Sequence, residues 1–122
     1  EVDVATTNHH ANRDAMTPVY LSVIKPRVII QEVWSSDHPG HETLVRMTSK
    51  KIWPDERDLF ATNMLEANRL VIGDLLDRSY KSTQGHIVLR VMPQGKEYFI
   101  YVLNNLDVGR QTTGIFGPYQ SK

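Results

Sequence analysis

The segment Asp37–Glu42 concentrates side chains that can do chemistry. It places two imidazoles, His38 and His41, and two carboxylates within six residues. Imidazole and carboxylate groups bind zinc and other first-row metals, and imidazole also transfers protons near neutral pH. Asp, Pro and Gly are turn-forming residues as well, so a solvated turn is the interpretation that we prefer. A metal site and an acid/base role are the two alternatives.

A second pair of histidines, His9 and His10, lies upstream. These side chains are potential additional ligands for a metal site at the turn. Residues 1–17 contain little apolar sequence and predict an irregular arm, which supports a preorganised ligand set poorly. We therefore expect no metal ion and no cofactor.

His86 opens the clearest pattern in the chain. Alternation over residues 86–92 and 97–103 predicts a β-hairpin closed by the loop Pro93–Lys96. Side chains that share a face of such a hairpin pair across the strands, and one face is expected to be core. The expected core pairs are Ile87–Val102, Leu89–Ile100 and Val91–Tyr98, and the pairs on the other face are His86–Leu103, Val88–Tyr101 and Arg90–Phe99.

The outer face of the hairpin and the tail after it combine groups for proton transfer and anion binding. His86 can move a proton, and Arg90 or Arg110 can hold a phosphate through paired hydrogen bonds. The tail Gly109–Tyr119 is rich in glycine and threonine, so donors can approach an anion closely. The preferred interpretation of the tail is a turn that packs its apolar residues onto a helix. A Walker loop, a dinucleotide fingerprint and a serine-hydrolase elbow are all missing.

The elements that must position these groups predict an α+β fold. The β-branched runs Val19–Ile24 and Val28–Trp34 predict two strands, and a weak alternation over Thr43–Met47 predicts a third. Apolar residues at helical spacing predict one long helix over Pro54–Ser79, apolar around most of its circumference. The predicted fold is a mostly antiparallel sheet of about five strands, in the order β-β-β-α-β-β, packed on one long helix.

Length and composition limit the possible classes of function. The chain has 122 residues, enough for one core, so we expect a single domain over residues 18–122 behind the irregular arm 1–17. It has no cysteine, which excludes disulfides, thiolate metal sites and a cysteine nucleophile. Lys and Arg number 14, as do Asp and Glu, so the overall charge does not favour nucleic acid.

No apolar run reaches the roughly 20 residues that span a bilayer. We therefore expect a soluble protein with no membrane insertion. Because the sequence begins at Glu1 and not at Met, we expect a processed or excised piece of secreted, periplasmic or effector type.

Two functions from different classes fit these observations. By a narrow margin we expect a non-enzymatic protein-binding domain, such as an inhibitor, immunity-type protein, adaptor or secretion-system component. It would bind a protein partner or a second copy through the apolar helix or an edge strand.

The alternative is a small metal-independent ribonuclease. In size, compactness and its Gly/Thr tail the chain broadly resembles the cysteine-free toxin modules at the C-terminal ends of large bacterial secreted proteins. In such an enzyme two histidines exchange protons while a cation stabilises the phosphate. The residues predicted for these roles are His86 with His38 or His41 as the pair, Arg90 or Arg110 as the stabiliser, and Thr113 or Tyr119 as positioning donors.

Overall fold

Two β-sheets of different type form the framework. The computed structural model describes all residues from 1 to 122. Four strands form a parallel sheet in chain order: β1 (Val4–Thr6), β2 (Val28–Gln31), β3 (Asp58–Ala61) and β4 (Tyr80–Ser82). Three strands form an antiparallel sheet, also in chain order: β5 (His86–Val91), β6 (Glu97–Leu103) and β7 (Thr112–Gln120).

Four short α-helices connect the parallel strands. They are α1 (Pro18–Ile24), α2 (His41–Thr48), α3 (Glu66–Ile72) and α4 (Asp74–Ser79), and 3-10 turns cover Asn8–Ala11 and Pro93–Gly95. The helices have six to eight residues, far fewer than a membrane-spanning helix requires.

The parallel sheet is the middle of three layers. Successive side chains of a strand point to opposite faces, so Ile29 and Leu59 contact the helices while Val28 and Phe60 contact the antiparallel sheet. The core on the helix side includes Leu21, Leu44, Met47 and Leu76. The core between the sheets consists of Val28, Phe60, Tyr98, Ile100, Val102 and Tyr119.

The chain is α+β, but the predicted single long helix on a mostly antiparallel sheet is wrong. The segment Pro54–Ser79 contains β3 and two short helices. Leu59, Phe60 and Ala61 are consecutive and buried, as is typical of a parallel strand covered on both faces. On a helix, three consecutive residues point in different directions around the axis. A run of apolar strand residues therefore gives the same sequence pattern as a helix with a wide apolar face. Gly73, with φ of 72°, separates α3 from α4.

Two predicted strands are helices. In α1, Thr17 accepts a hydrogen bond from the Tyr20 backbone N–H, and Pro18 occupies the first helical position. Both features are helix start signals that outweigh the β-branched composition. In α2, Leu44 and Met47 are buried and Val45 is exposed, a helical spacing rather than an alternation.

Residues 1–17, predicted to be an irregular arm, contain β1 and three fully buried side chains, Ala11, Ala15 and Met16. β1 is a three-residue edge strand that pairs only with β2. Alanine adds little to an apolar pattern, so the sequence of this segment conceals its burial.

The β-hairpin prediction is confirmed in its register. β5 and β6 pair His86 with Leu103, Leu89 with Ile100 and Val91 with Tyr98. The β6 residues of the expected core face are buried, whereas Leu89 and Val91 remain exposed. The tail is a strand, β7, that pairs with β6, not a turn packed on a helix. β2 confirms the strand predicted at Val28 but ends at Gln31.

Candidate functional site

Three histidines meet at the carboxyl edge of the parallel sheet. His9 and His10 follow β1, and His38 follows β2. The rings of His10 and His38 are stacked, with centroids 4.8 Å apart and planes 14° from parallel. The loops that follow parallel neighbouring strands leave the sheet at the same edge, so the loops after β1 and β2 lie side by side here. We refer to His9, His10 and His38 as the histidine cluster.

The backbone of the loop after β1 is held in an unusual conformation. His9, His10 and Ala11 have φ angles of 44°, 53° and 62°, in the left-handed region that costs free energy for residues with a Cβ atom. Gln31, fully buried, donates from Nε2 to the His10 carbonyl oxygen at 2.9 Å. Its Oε1 accepts a hydrogen bond from the Tyr80 hydroxyl. The end of β2 and the start of β4 thus fix His10.

Helix α2 holds the rest of this loop. The Arg46 guanidinium donates to the carbonyl oxygens of Arg13 and Ala15 at 2.7 Å and of Met16 at 3.2 Å. Thr43 donates from Oγ1 to the Asn12 carbonyl oxygen at 2.8 Å. Hydrogen bonds to a charged group are stronger than neutral ones, so Arg46 gives the loop one defined position.

His9 and His10 each use Nδ1 for a structural hydrogen bond. The Nδ1 of His9 lies 2.8 Å from Oδ1 of Asp14, and the Nδ1 of His10 lies 2.9 Å from the Glu32 carbonyl oxygen. Because both partners are acceptors, the neutral rings carry their proton on Nδ1. Their Nε2 lone pairs are left to accept a proton or bind a ligand.

His38 is the buried member of the histidine cluster. Its side chain is only 4 % exposed, and its Nδ1 is 3.5 Å from the backbone N–H of Trp34. Burial lowers the pKa of His38; the Asp37 carboxylate opposes this shift, and nearby His10 and His9 add to it. His38 therefore stays neutral at neutral pH. Its ring packs against the face of the His10 ring.

The structure places the residues predicted for a ribonuclease site on several different elements. His38 belongs to the histidine cluster, while His41 is exposed as the first residue of α2. His86 and Arg90 are exposed on β5, in the other sheet. No polar contact in the structure joins His86 to His38 or His41, and the pairing stays a prediction.

The remaining predicted site residues make structural hydrogen bonds. The Tyr119 hydroxyl is buried between the sheets and donates to Oδ2 of Asp58 at 2.7 Å, and burial with this bond raises the pKa of Tyr119. Thr113 donates to the Val102 carbonyl oxygen at 3.2 Å, and Arg110 donates to the Asn105 carbonyl oxygen at 3.2 Å. In the structure, these three side chains hydrogen-bond to other groups of the same chain.

Sequence reasoning considered His9 and His10 only as extra metal ligands and did not single out Trp34 and Arg13. Trp34 makes T-shaped contacts with the stacked rings of His38 and His10. Its ring centroid is 5.4 Å from that of His38 and 6.0 Å from that of His10. These residues could be identified from their positions directly after β1 and β2. That inference requires the knowledge that β1 and β2 are parallel neighbours, which the sequence does not show. No three His, Cys, Asp or Glu side chains are placed to hold one metal ion.

No protein-family model, no curated protein and no solved structure matches this chain. The geometry of the histidine cluster and of the exposed surfaces is therefore the basis for a functional proposal.

Proposed function

We propose that this chain is a small ribonuclease in which the histidine cluster transfers protons. The observation that carries the proposal is the arrangement of His9 and His10 beside neutral His38, with both Nδ1 atoms held by acceptors. Neither Nε2 atom makes a hydrogen bond within the chain, and two imidazoles with such a free nitrogen are the minimum that this reaction needs. The proposal keeps the ribonuclease class considered from the sequence and moves its site to the carboxyl edge of the parallel sheet.

The chemistry assigns different roles to the two histidines. The unprotonated Nε2 of His9 takes the proton of a ribose 2′-hydroxyl, and O2′ attacks the adjacent phosphorus. The P–O5′ bond breaks, and the protonated Nε2 of His10 gives its proton to the departing O5′. The products are a 2′,3′-cyclic phosphate and a free 5′-hydroxyl, so protons and charge balance.

Neighbouring groups support each step. Asp14 accepts from Nδ1 of His9 and stabilises the imidazolium that forms there. The exposed side chain of Arg13 supplies a cation for the charge that develops on the phosphate. Arg13 lies close to the His38 turn, because the Gly40 backbone N–H donates to the Ala11 carbonyl oxygen at 3.0 Å and Gly40 packs against the Arg13 backbone.

The experiment that tests this function is cleavage of total RNA and of purified tRNA, with and without EDTA. We expect cleavage that persists in EDTA, ends in a 2′,3′-cyclic phosphate and is lost in His10→Gln. Cleavage that stops in EDTA would instead assign the histidines to a metal ion and contradict the proposed mechanism. Absence of cleavage across a broad RNA panel would leave protein binding as the better proposal.

Protein binding through an edge strand is the second candidate, and β5 favours it. Val88, Leu89 and Val91 are 41 %, 43 % and 59 % exposed, so both faces of this strand present apolar side chains. β5 pairs with β6 alone, and a groove of about 440 Å³ runs along these two strands. Exposed apolar edge strands accept a further strand from a partner. The predicted long apolar helix does not exist, so β5 is the surface that we propose for a partner.

A further inference from the structure

The side chain of Trp34 is exposed although its position is fixed. It is 71 % exposed, whereas Trp53, the other tryptophan, is 1 % exposed. The backbone at this point is anchored, because the adjacent Val33 is buried and its N–H donates to Oγ1 of Thr62 at 3.0 Å. The indole ring is therefore placed by the fold and left open to solvent.

The orientation of this ring relates it directly to the histidine cluster. Trp34 meets His38 at 80° and His10 at 87°, so each contact uses the edge of one ring. Edge-to-face contacts stabilise aromatic pairs. Because Trp34 is 71 % exposed, ring surface remains free for a further stacked group. A flat molecule stacked on Trp34 lies next to His10, the general acid of the proposed mechanism.

The groups around this platform carry both signs. Asp14, Glu32 and Asp37 are exposed carboxylates, with Asp14 paired to His9, and Arg13 is the group that can hold an anion. Arg13 is exposed on the loop after β1. This loop packs closely against Gly40: a Cβ atom added at Gly40 would lie 3.0 Å from the backbone N of Arg13. Arg13 therefore adjoins the His38–Gly40 turn. His9 becomes cationic when it takes a proton. A planar ring joined to a phosphate fits this combination of a flat indole, a guanidinium and an imidazole.

We propose that Trp34 is the platform on which an unpaired base of a single-stranded nucleic acid stacks, with the adjoining phosphate at Arg13 and the histidine cluster. This inference rests on the proposed function and adds its substrate class and a specificity residue. Bases of a duplex are already stacked and paired, so their faces are closed to an indole ring. A neutral sugar also stacks on tryptophan but makes no use of Arg13.

The test measures binding apart from cleavage. A fluorescein-labelled hexamer of 2′-deoxyuridine lacks the attacking hydroxyl, and its anisotropy reports binding without relying on tryptophan emission. We expect Trp34→Ala to weaken binding by roughly ten- to a hundredfold, in line with the loss of one stacked base, and Trp34→Phe to remain within a few-fold. Leu106→Ala, an exposed apolar residue in the loop between β6 and β7, is the matched control and should bind as the unaltered protein does.

Several outcomes would overturn the inference. Equal binding by Trp34→Ala and the unaltered protein would do so, as would a blunt duplex that binds as tightly as the hexamer. Tighter binding of a neutral glucose oligosaccharide would assign the platform to a sugar.

The proposed function is tested separately on RNA. If RNA is cleaved, Trp34→Ala should raise KM and leave kcat within a few-fold, which a general loss of structure does not do. Hexamer binding that depends on Trp34, with no cleavage of RNA, would retain the binding site and overturn the ribonuclease.

Discussion

The parallel and antiparallel halves of this molecule use their strands in opposite ways. The parallel strands have only three or four residues, yet both faces of their sheet are covered. The antiparallel strands have six to nine residues, and β5 exposes apolar side chains on both of its faces. Because the parallel sheet is covered on both faces, polar side chains at its strand ends are buried and hold fixed positions. Gln31 is one of them, and its hydrogen bond to the His10 carbonyl oxygen fixes His10. The short-stranded half is therefore the better support for chemistry, and the long-stranded half is the better surface for a partner.

The largest expected effect separates the two halves by activity. His10→Gln should reduce RNA cleavage by about a hundredfold or more, since general acid/base groups contribute on that scale. His86→Gln, on exposed β5, should change the rate by less than about twofold. The measurement is the initial rate on one tRNA substrate at neutral pH. A larger loss in His86→Gln would return the acid/base role to the residue favoured by the sequence.

Stability should divide along the same line. Phe60 is fully buried between the sheets, with its ring 5.0 Å from that of Phe116, so Phe60→Ala should lower the free energy of unfolding by about 3–5 kcal/mol. Leu89→Ala, on the exposed strand, should cost about 1 kcal/mol or less. Urea titrations followed by circular dichroism give both values. Similar losses for the two variants would indicate that β5 is covered in solution.

A smaller effect concerns acid stability. The pKa of His38 is lowered in the folded protein, mainly by burial, so below its ordinary value of 6.5 the unfolded chain binds a proton that the native state does not. Stability from neutral His38 is therefore present above pH 6.5 and lost as pH falls toward the lower folded value.

Urea titrations between pH 7.5 and 5 test this effect. The free energy of unfolding should fall less steeply with decreasing pH in His38→Gln than in the unaltered protein. Identical slopes in the two proteins would show that folding does not change the pKa of His38.

The smallest effect on folding belongs to the edge of β5. Val88→Lys adds a charge to an exposed strand, so it should change the free energy of unfolding by no more than about 0.5 kcal/mol and leave RNA cleavage unchanged. It should abolish any self-association or partner capture that uses this edge. Sedimentation at several concentrations measures self-association. Persistent association of the variant would place the contact elsewhere.

Local pattern was sufficient for the antiparallel hairpin. Residues 86–103 alternate with period two, and adjacent strands joined by a short loop need no distant partner to define their register. The same reasoning failed for the segment Pro54–Ser79, because a strand buried on both faces loses its alternation. It also failed for α1, where the helix start signals at Thr17 and Pro18 conflicted with β-branched composition.

By itself, the sequence determined the β5–β6 register, the strand at Val28 and the absence of cysteine chemistry, because each depends on neighbouring residues or on composition alone. Only the tertiary structure decided the parallel sheet and the histidine cluster. His10 and His38 are 28 positions apart and meet because β1 and β2 are parallel neighbours whose carboxyl ends share one edge. Parallel pairing requires a crossover through a helix, so no local pattern records which loops it brings together.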